Sequence, residues 1–185
     1  MERKGYVIDD QQAIYYLIFT VCGWIAIFTR QSYRDIVIES FKHCQREKGL
    51  HLHACVIMSN HVHLIASADE GFTLSGFIRD CKKFTSKKIL YEIENSGVES
   101  RKEWMLHQFK YYASRHSRNE NFQLWEHDNH PIELSSPAFT QQKIDYIHQN
   151  PVRAGLVYRA EDYIYSSASN YAGIDQIIDV DCLFF

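Results

Sequence analysis

No C-x-x-C pair occurs in this chain, and its five cysteines (Cys22, Cys44, Cys55, Cys81, Cys182) are odd in number. That excludes a zinc ribbon and argues against a disulfide frame, leaving reduced, mostly buried thiols of the kind cytosolic proteins carry. A signal-peptide core is also missing, because Met1-Glu2-Arg3-Lys4-Gly5 is polar and charged. The apolar run from Ala13 to Phe28 falls short of the ~20 residues that span a bilayer, and Gly23-Trp24 breaks it into two short segments. The chain is therefore expected to be cytoplasmic, without a membrane partner. It has no internal repeat and no low-complexity tract. Nor does it carry a strong charge, since the formal balance is −3. By itself that points to no polyanionic partner, although a local basic face is enough to grip a phosphate backbone.

What is present is enough apolar sequence for one core: 45% of 185 residues are hydrophobic. One domain over 1–185 is expected, with its core at about 13–171 and a mixed tail at 172–185. Ala13 to Val21 is rich in β-branched and aromatic residues and reads as a buried strand. Ser32 to Lys48 carries a helical apolar stripe, with Ser32 as the expected cap and Gly49 as the stop. A strand from His51 to Met58, a tight turn at Ser59-Asn60 and a strand from His61 to Ala66 follow. Thr73 to Ile93 reads as a long helix. Residues 95–121 form an irregular or partly helical insertion. Ser135-Ser136-Pro137 opens a helix that should run from Ala138 to about Gln149, with Pro151 ending it nearby. This order is that of an α+β, ferredoxin-like (RRM-like) sandwich: an antiparallel sheet with helices on one face, plus a C-terminal helix. Gly155 to Tyr158, or the tail, is left to supply the fourth strand.

The chemistry centres on His61-Val62-His63. Alternate residues of a strand share a face, so two imidazoles would stand together as half of a metal site. Chance makes such pairs common in a chain with ten histidines, and His51-Leu52-His53 is a second one. A two-residue turn sets Met58 opposite His61 and Val56 opposite His63, which puts His51 and His53 on the other face. On the later helix, Tyr146 and Asn150 lie four residues apart and share a side. A phenol beside an amide oxygen suits a metal-assisted tyrosine nucleophile. His148 lies about 200° around that helix from Tyr146 and is a poor base for it.

Two blocks, Met58-Ser59-Asn60-His61-Val62-His63-Leu64-Ile65 and the run from Asp145 to Val157 (DYIHQNPVRAGLV), together resemble the single-tyrosine HUH transposases, and within them the REP-associated tyrosine transposases. Lys82-Lys83-Phe84-Thr85, Leu124-Trp125-Glu126 and Asp162 to Ala168 are weaker matches in the same order. The resemblance implies a metal-dependent DNA strand transferase acting beside hairpin-forming, REP-like ends. Tyr146 would attack single-stranded DNA to form a 5′-phosphotyrosine link. His61, His63 and Asn150 would hold Mg²⁺ or Mn²⁺. The expected partner is single-stranded or hairpin DNA, and the expected assembly a monomer or homodimer. Between residues 79 and 118 there are ten Lys/Arg against five Asp/Glu. The basic helix face, Arg79, Lys82, Lys83, Lys87 and Lys88, is the expected DNA-backbone contact, with Phe84, Tyr91, Trp104, Tyr111 and Tyr112 available to stack on unpaired bases. Two other readings remain open. One is a domesticated protein that grips hairpin DNA or RNA without cutting. The other is a zinc hydrolase using all four histidines of the two H-x-H pairs.

Overall fold

The computed structural model of the chain describes residues 7–115, 121–174 and 176–185. Residues 116–120 of the expected insertion lie outside them. Strand β1 spans Tyr15–Thr20, followed by helix α1 (Gln31–Glu47) and the hairpin β2 (Leu50–Ile57) and β3 (His61–Ala68). Helix α2 (Leu74–Asn95), helix α3 (Lys102–Ser114), strand β4 (Ile132–Glu133), helix α4 (Pro137–Arg153) and the short α5 (Ala168–Tyr171) complete the order. The strands form one antiparallel sheet ordered β2-β3-β1-β4. With α1 and α2 as the two crossovers, this is the ferredoxin-like β-α-β-β-α-β arrangement. Among the described residues no helix is long and apolar enough to cross a membrane.

The two faces of the sheet bury different partners. Leu17, Phe19, Val62 and Leu64 point toward α1 and α2, where Phe41, Phe77, Ile78 and Ile89 close the main core. Each such side chain contributes roughly 1.5–3 kcal/mol by leaving water. Tyr16, Val56 and Ile65 point the other way and pack beneath Ile144 and Ile147 of α4. Residues three apart on α4 thus seal the second face, and its other side stays free for chemistry.

Several boundaries differ from the sequence reading. Helix α1 begins at Gln31, so Ser32 lies inside it, and the Arg30 cap position makes no side-chain capping bond. Gly49 is the stop as expected: its φ is +57°, and a Cβ there would meet the Phe72 ring at 2.5 Å. The fourth strand is Ile132–Glu133 beside Tyr15 and Tyr16, not Gly155 to Tyr158 or the tail. Two residues cannot display a period of two, so no pattern announced it. Helix α4 runs through Pro151 to Arg153. Proline in the last turn forfeits only one backbone bond. The stop is Gly155 at φ +70°. There Leu156 N–H donates to the Pro151 carbonyl (2.9 Å) and Gly155 N–H to that of Val152 (3.0 Å), the paired bonds of a glycine-terminated helix. The insertion is partly helical, as expected, and α3 is its helix.

The free edge of β2 is closed by segments from the C-terminal third. Ile57 N–H donates to the Tyr165 carbonyl and Asp181 N–H to that of Leu52, at 2.9 and 2.8 Å. Ile178 of the tail is buried in the main core. His51 stands between Asp69 and Asp181, 2.7 Å from a carboxylate oxygen on either side. Hydrogen bonding to Asp69, then to Asp181, raises its pKa. A folded pKa above the unfolded value makes this contribution complete below ~6.5 and lost as pH rises through the folded value. Hydrogen exchange at the Asp181 amide, corrected for intrinsic rate, is therefore expected to lose protection as pH rises above ~6.5 and through the raised pKa of His51. His51→Gln should remove that dependence, and flat protection in the parent would contradict it.

Candidate active site

The site lies where β1 ends and β3 begins. Val56 pairs with His63 and Ile57 with Val62, the register that a two-residue turn predicts. His63 therefore enters the α4 face, 3% exposed, with His61 beside it at the strand start. Their ring centroids are 4.6 Å apart and nearly perpendicular, at 82°.

The neighbours of each imidazole determine which nitrogen is available. Asn60 donates its Nδ2 to the Trp24 carbonyl (3.1 Å), so its Oδ1 is an acceptor, 2.6 Å from His61 Nδ1. That oxygen requires a proton on Nδ1 and leaves the Nε2 of His61 with a bare lone pair. His63 Nδ1 lies 2.8 Å from the Tyr16 hydroxyl, with the two rings stacked at 5.7 Å. His63 Nε2 is buried and has no hydrogen-bond partner among the described residues. A buried, unpaired nitrogen is costly unless something occupies it. Burial first, then His61 and Lys143, pushes the His63 imidazole down to about 3, and burial also lowers that of His61. Both rings are neutral near pH 7, as metal ligands must be.

Helix α4 brings the expected nucleophile to this pair. It starts at Pro137, one residue before the expected Ala138: Ser136 caps it through the Phe139 N–H, with Pro137 in the first turn. The Tyr146 ring stands 5.5 Å from that of His63 and 6.4 Å from that of Tyr16, edge-on to both, and is 38% exposed. Asn150, one turn on, donates Nδ2 to the Tyr146 carbonyl (2.8 Å), so Oδ1 is the atom left to ligate or accept. The orphaned Nε2 of His63, the lone pair of His61 and that amide oxygen fit a divalent ion that takes mixed nitrogen and oxygen ligands.

Two cations here were missed in the sequence. Lys143 Nζ lies 5.9 Å and Arg153 Cζ 5.4 Å from the Tyr146 ring centre. Lys143, Tyr146, Asn150 and Arg153 are spaced three, four and three residues apart, one stripe along α4. That spacing was the available signal. His148, by contrast, turns away and is buried, with its Nε2 2.9 Å from Ser167 Oγ. Burial pushes it down to about 4.

The basic face of α2 stands elsewhere. Arg79, Lys83, Lys87 and Lys88 are exposed, but α2 covers the sheet face opposite to α4. Lys82 departs from expectation. Its ammonium is drawn inward to donate to the Glu126 carbonyl (2.7 Å), 5.0 Å from the Phe19 ring centre, and burial lowers its pKa to about 8. It is not free to meet a phosphate.

The placement of His51 and His53 is also a correction. A bulge between Leu52 and Ala54 shifts the register, so His51 pairs with Ser67 and shares the face of His63. These two histidines are nevertheless committed elsewhere. His51 binds Asp69 and Asp181, and His53 binds Ser67 Oγ at 2.9 Å. Among the described residues no three His, Cys, Asp or Glu side chains converge as a metal site.

The family model described as "Transposase IS200 like" matches residues 10–127, which include His61 and His63 and stop short of α4. A solved REP-associated tyrosine transposase, bound to a REP hairpin, has a similar fold over 100% of this chain and 94% of its own, at a TM-score of 0.65 and 17% identity. A putative transposase from Deinococcus radiodurans covers 79% of this chain and 96% of its own, at 0.44 and 20% identity. No curated protein matches the chain. The matched family model extends over well over half of the sequence, and the chain belongs to the IS200-like transposase family.

Proposed function

We propose that this protein cleaves and rejoins single-stranded DNA beside hairpin ends, with Tyr146 as nucleophile and Mg²⁺ or Mn²⁺ as cofactor. The observation that carries this reading is a phenol 5.5 Å, ring centre to ring centre, from a buried histidine whose Nε2 has no partner among the described residues. The solved relative bound to a REP hairpin supports hairpin DNA as the substrate class.

Tyr146 Oη forms the new bond to phosphorus, and the bond from phosphorus to the 3′ oxygen breaks. The phenolic proton is formally transferred to the departing 3′ oxygen, which leaves as a 3′-hydroxyl. The ester energy is kept in the 5′-phosphotyrosine, so reversal onto another 3′ end joins strands without a further energy source. His61, His63 and Asn150 would hold the ion, which polarises the scissile phosphate when bound. Lys143 and Arg153 flank the phenol and offer positive charge to the approaching phosphate. Tyr16 keeps the His63 ring oriented through Nδ1, as an outer hydrogen bond does for a ligating imidazole.

Incubating the full chain with hairpin oligonucleotides that carry single-stranded flanks tests this directly. A denaturant-resistant protein–DNA band should form with Mn²⁺ and vanish with chelator. Salt-sensitive binding without any adduct would instead favour a protein that only grips DNA.

A further inference from the structure

Trp24 is the most exposed of the tryptophans, at 66%, yet it is held in an unfavourable backbone conformation beside the site. It follows Gly23 in the loop after β1, and both residues lie in the left-handed region, at φ 56° and 63°. A bulky L side chain rarely adopts that region, and such strain is retained where surroundings impose it. The surroundings here are explicit. Tyr112 of α3 lies over Gly23, where a Cβ would stand 2.6 Å from its hydroxyl. The Trp24 carbonyl is held by Asn60, the side chain that also orients His61. Arg101 ties the start of α3 to the same loop through the Ala26 carbonyl (3.0 Å).

The result is a row of aromatic rings leading away from the two histidines. The Trp24 ring centre is 6.0 Å from that of His61. Tyr112 covers the next backbone position, and Tyr111 is 5.6 Å from Tyr112. The Arg115 guanidinium stands 5.7 Å from the Tyr111 ring centre. Tyr111 and Arg115 are exposed on the side of α3 away from its buried Met105, Phe109 and Ala113. Exposed π-faces followed by a cation, continuous with a site for a phosphodiester, match what unpaired nucleotides bind. A protein partner would not require the row to begin at the imidazoles.

We infer that Trp24, Tyr112 and Tyr111, with Arg115, form a stacking track for the unpaired nucleotides that adjoin the scissile phosphate. This rests on the proposed role of Tyr146 and of the two histidines. Base stacking on aromatic rings tolerates sequence, so oligo-dT of twelve nucleotides is a suitable probe, read by fluorescence anisotropy on the Tyr146→Phe chain. Adding Trp24→Ala should weaken binding about tenfold, and Trp24→Phe should restore part of it. Trp24→Gly should weaken binding equally while leaving the thermal midpoint unchanged or higher, because glycine accepts the left-handed backbone. In a Trp104→Phe background, oligo-dT should quench the Trp24 emission. Equal oligo-dT affinity in the parent, Trp24→Gly and Tyr111→Ala chains would overturn the track. So would a dimer that sedimentation shows to be lost in Trp24→Gly with oligo-dT binding unchanged. A Mn²⁺-dependent adduct in the wild-type chain, measured in parallel, reports separately on the reading of Tyr146.

Discussion

Tyr146→Phe is expected to lower formation of the covalent DNA adduct by roughly 10³-fold or more while leaving hairpin binding within about twofold of the parent. The substitution removes one atom. The remaining ring keeps its edge contacts with His63 and Tyr16 and its place between Lys143 and Arg153. The hydroxyl has no hydrogen-bond partner among the described residues, so stability should change by less than about 0.5 kcal/mol. The assay is denaturing gel electrophoresis of a labelled hairpin after incubation with Mn²⁺, paired with a binding isotherm. An adduct that survives at parental yield would remove Tyr146 from the chemistry.

His63→Ala is the second large effect. It should reduce Mn²⁺ affinity by at least roughly 10²-fold by calorimetry and abolish the metal stimulation of cleavage. A structural cost accompanies it, because the buried Tyr16 hydroxyl loses its partner at about 1–3 kcal/mol. Tyr16→Phe separates the two contributions. It keeps the imidazole and the stacked ring but removes the hydrogen bond to Nδ1, so Mn²⁺ affinity should fall by about 10- to 100-fold with the fold intact. Parental Mn²⁺ affinity in His63→Ala would place the ion elsewhere.

Much of this site could be read in the chain because its parts obey short-range rules. The Ser59-Asn60 turn set the register that opposes Val56 to His63, and helical spacing placed Tyr146 beside Asn150. What escaped depended on contacts distant in sequence or on irregular backbone. A bulge at residues 52–54 reversed the facing of His51, and nothing in Leu52-His53-Ala54 announces it. Lys82 sits on the polar stripe of α2, but the Glu126 carbonyl from a remote segment draws it inward. The two-residue strand β4 exists only because β1 offers an edge. The close approach of Tyr112 to Gly23, beside the positive φ of Trp24, joins residues nearly ninety positions apart. Lys143 and Arg153 are a different case. Their spacing from Tyr146 was readable and simply carried no mark of chemistry until the ring contacts were known.

On the proposed reading, the Tyr146 hydroxyl becomes joined to DNA. Mass spectrometry of the nuclease-trimmed adduct, formed on a hairpin oligonucleotide in the presence of Mn²⁺, tests it most directly. A phosphonucleotide is expected on the peptide that carries Tyr146, and on no other tyrosine peptide. A phosphonucleotide on another residue, or a cleaved hairpin with no protein-linked product, would contradict it.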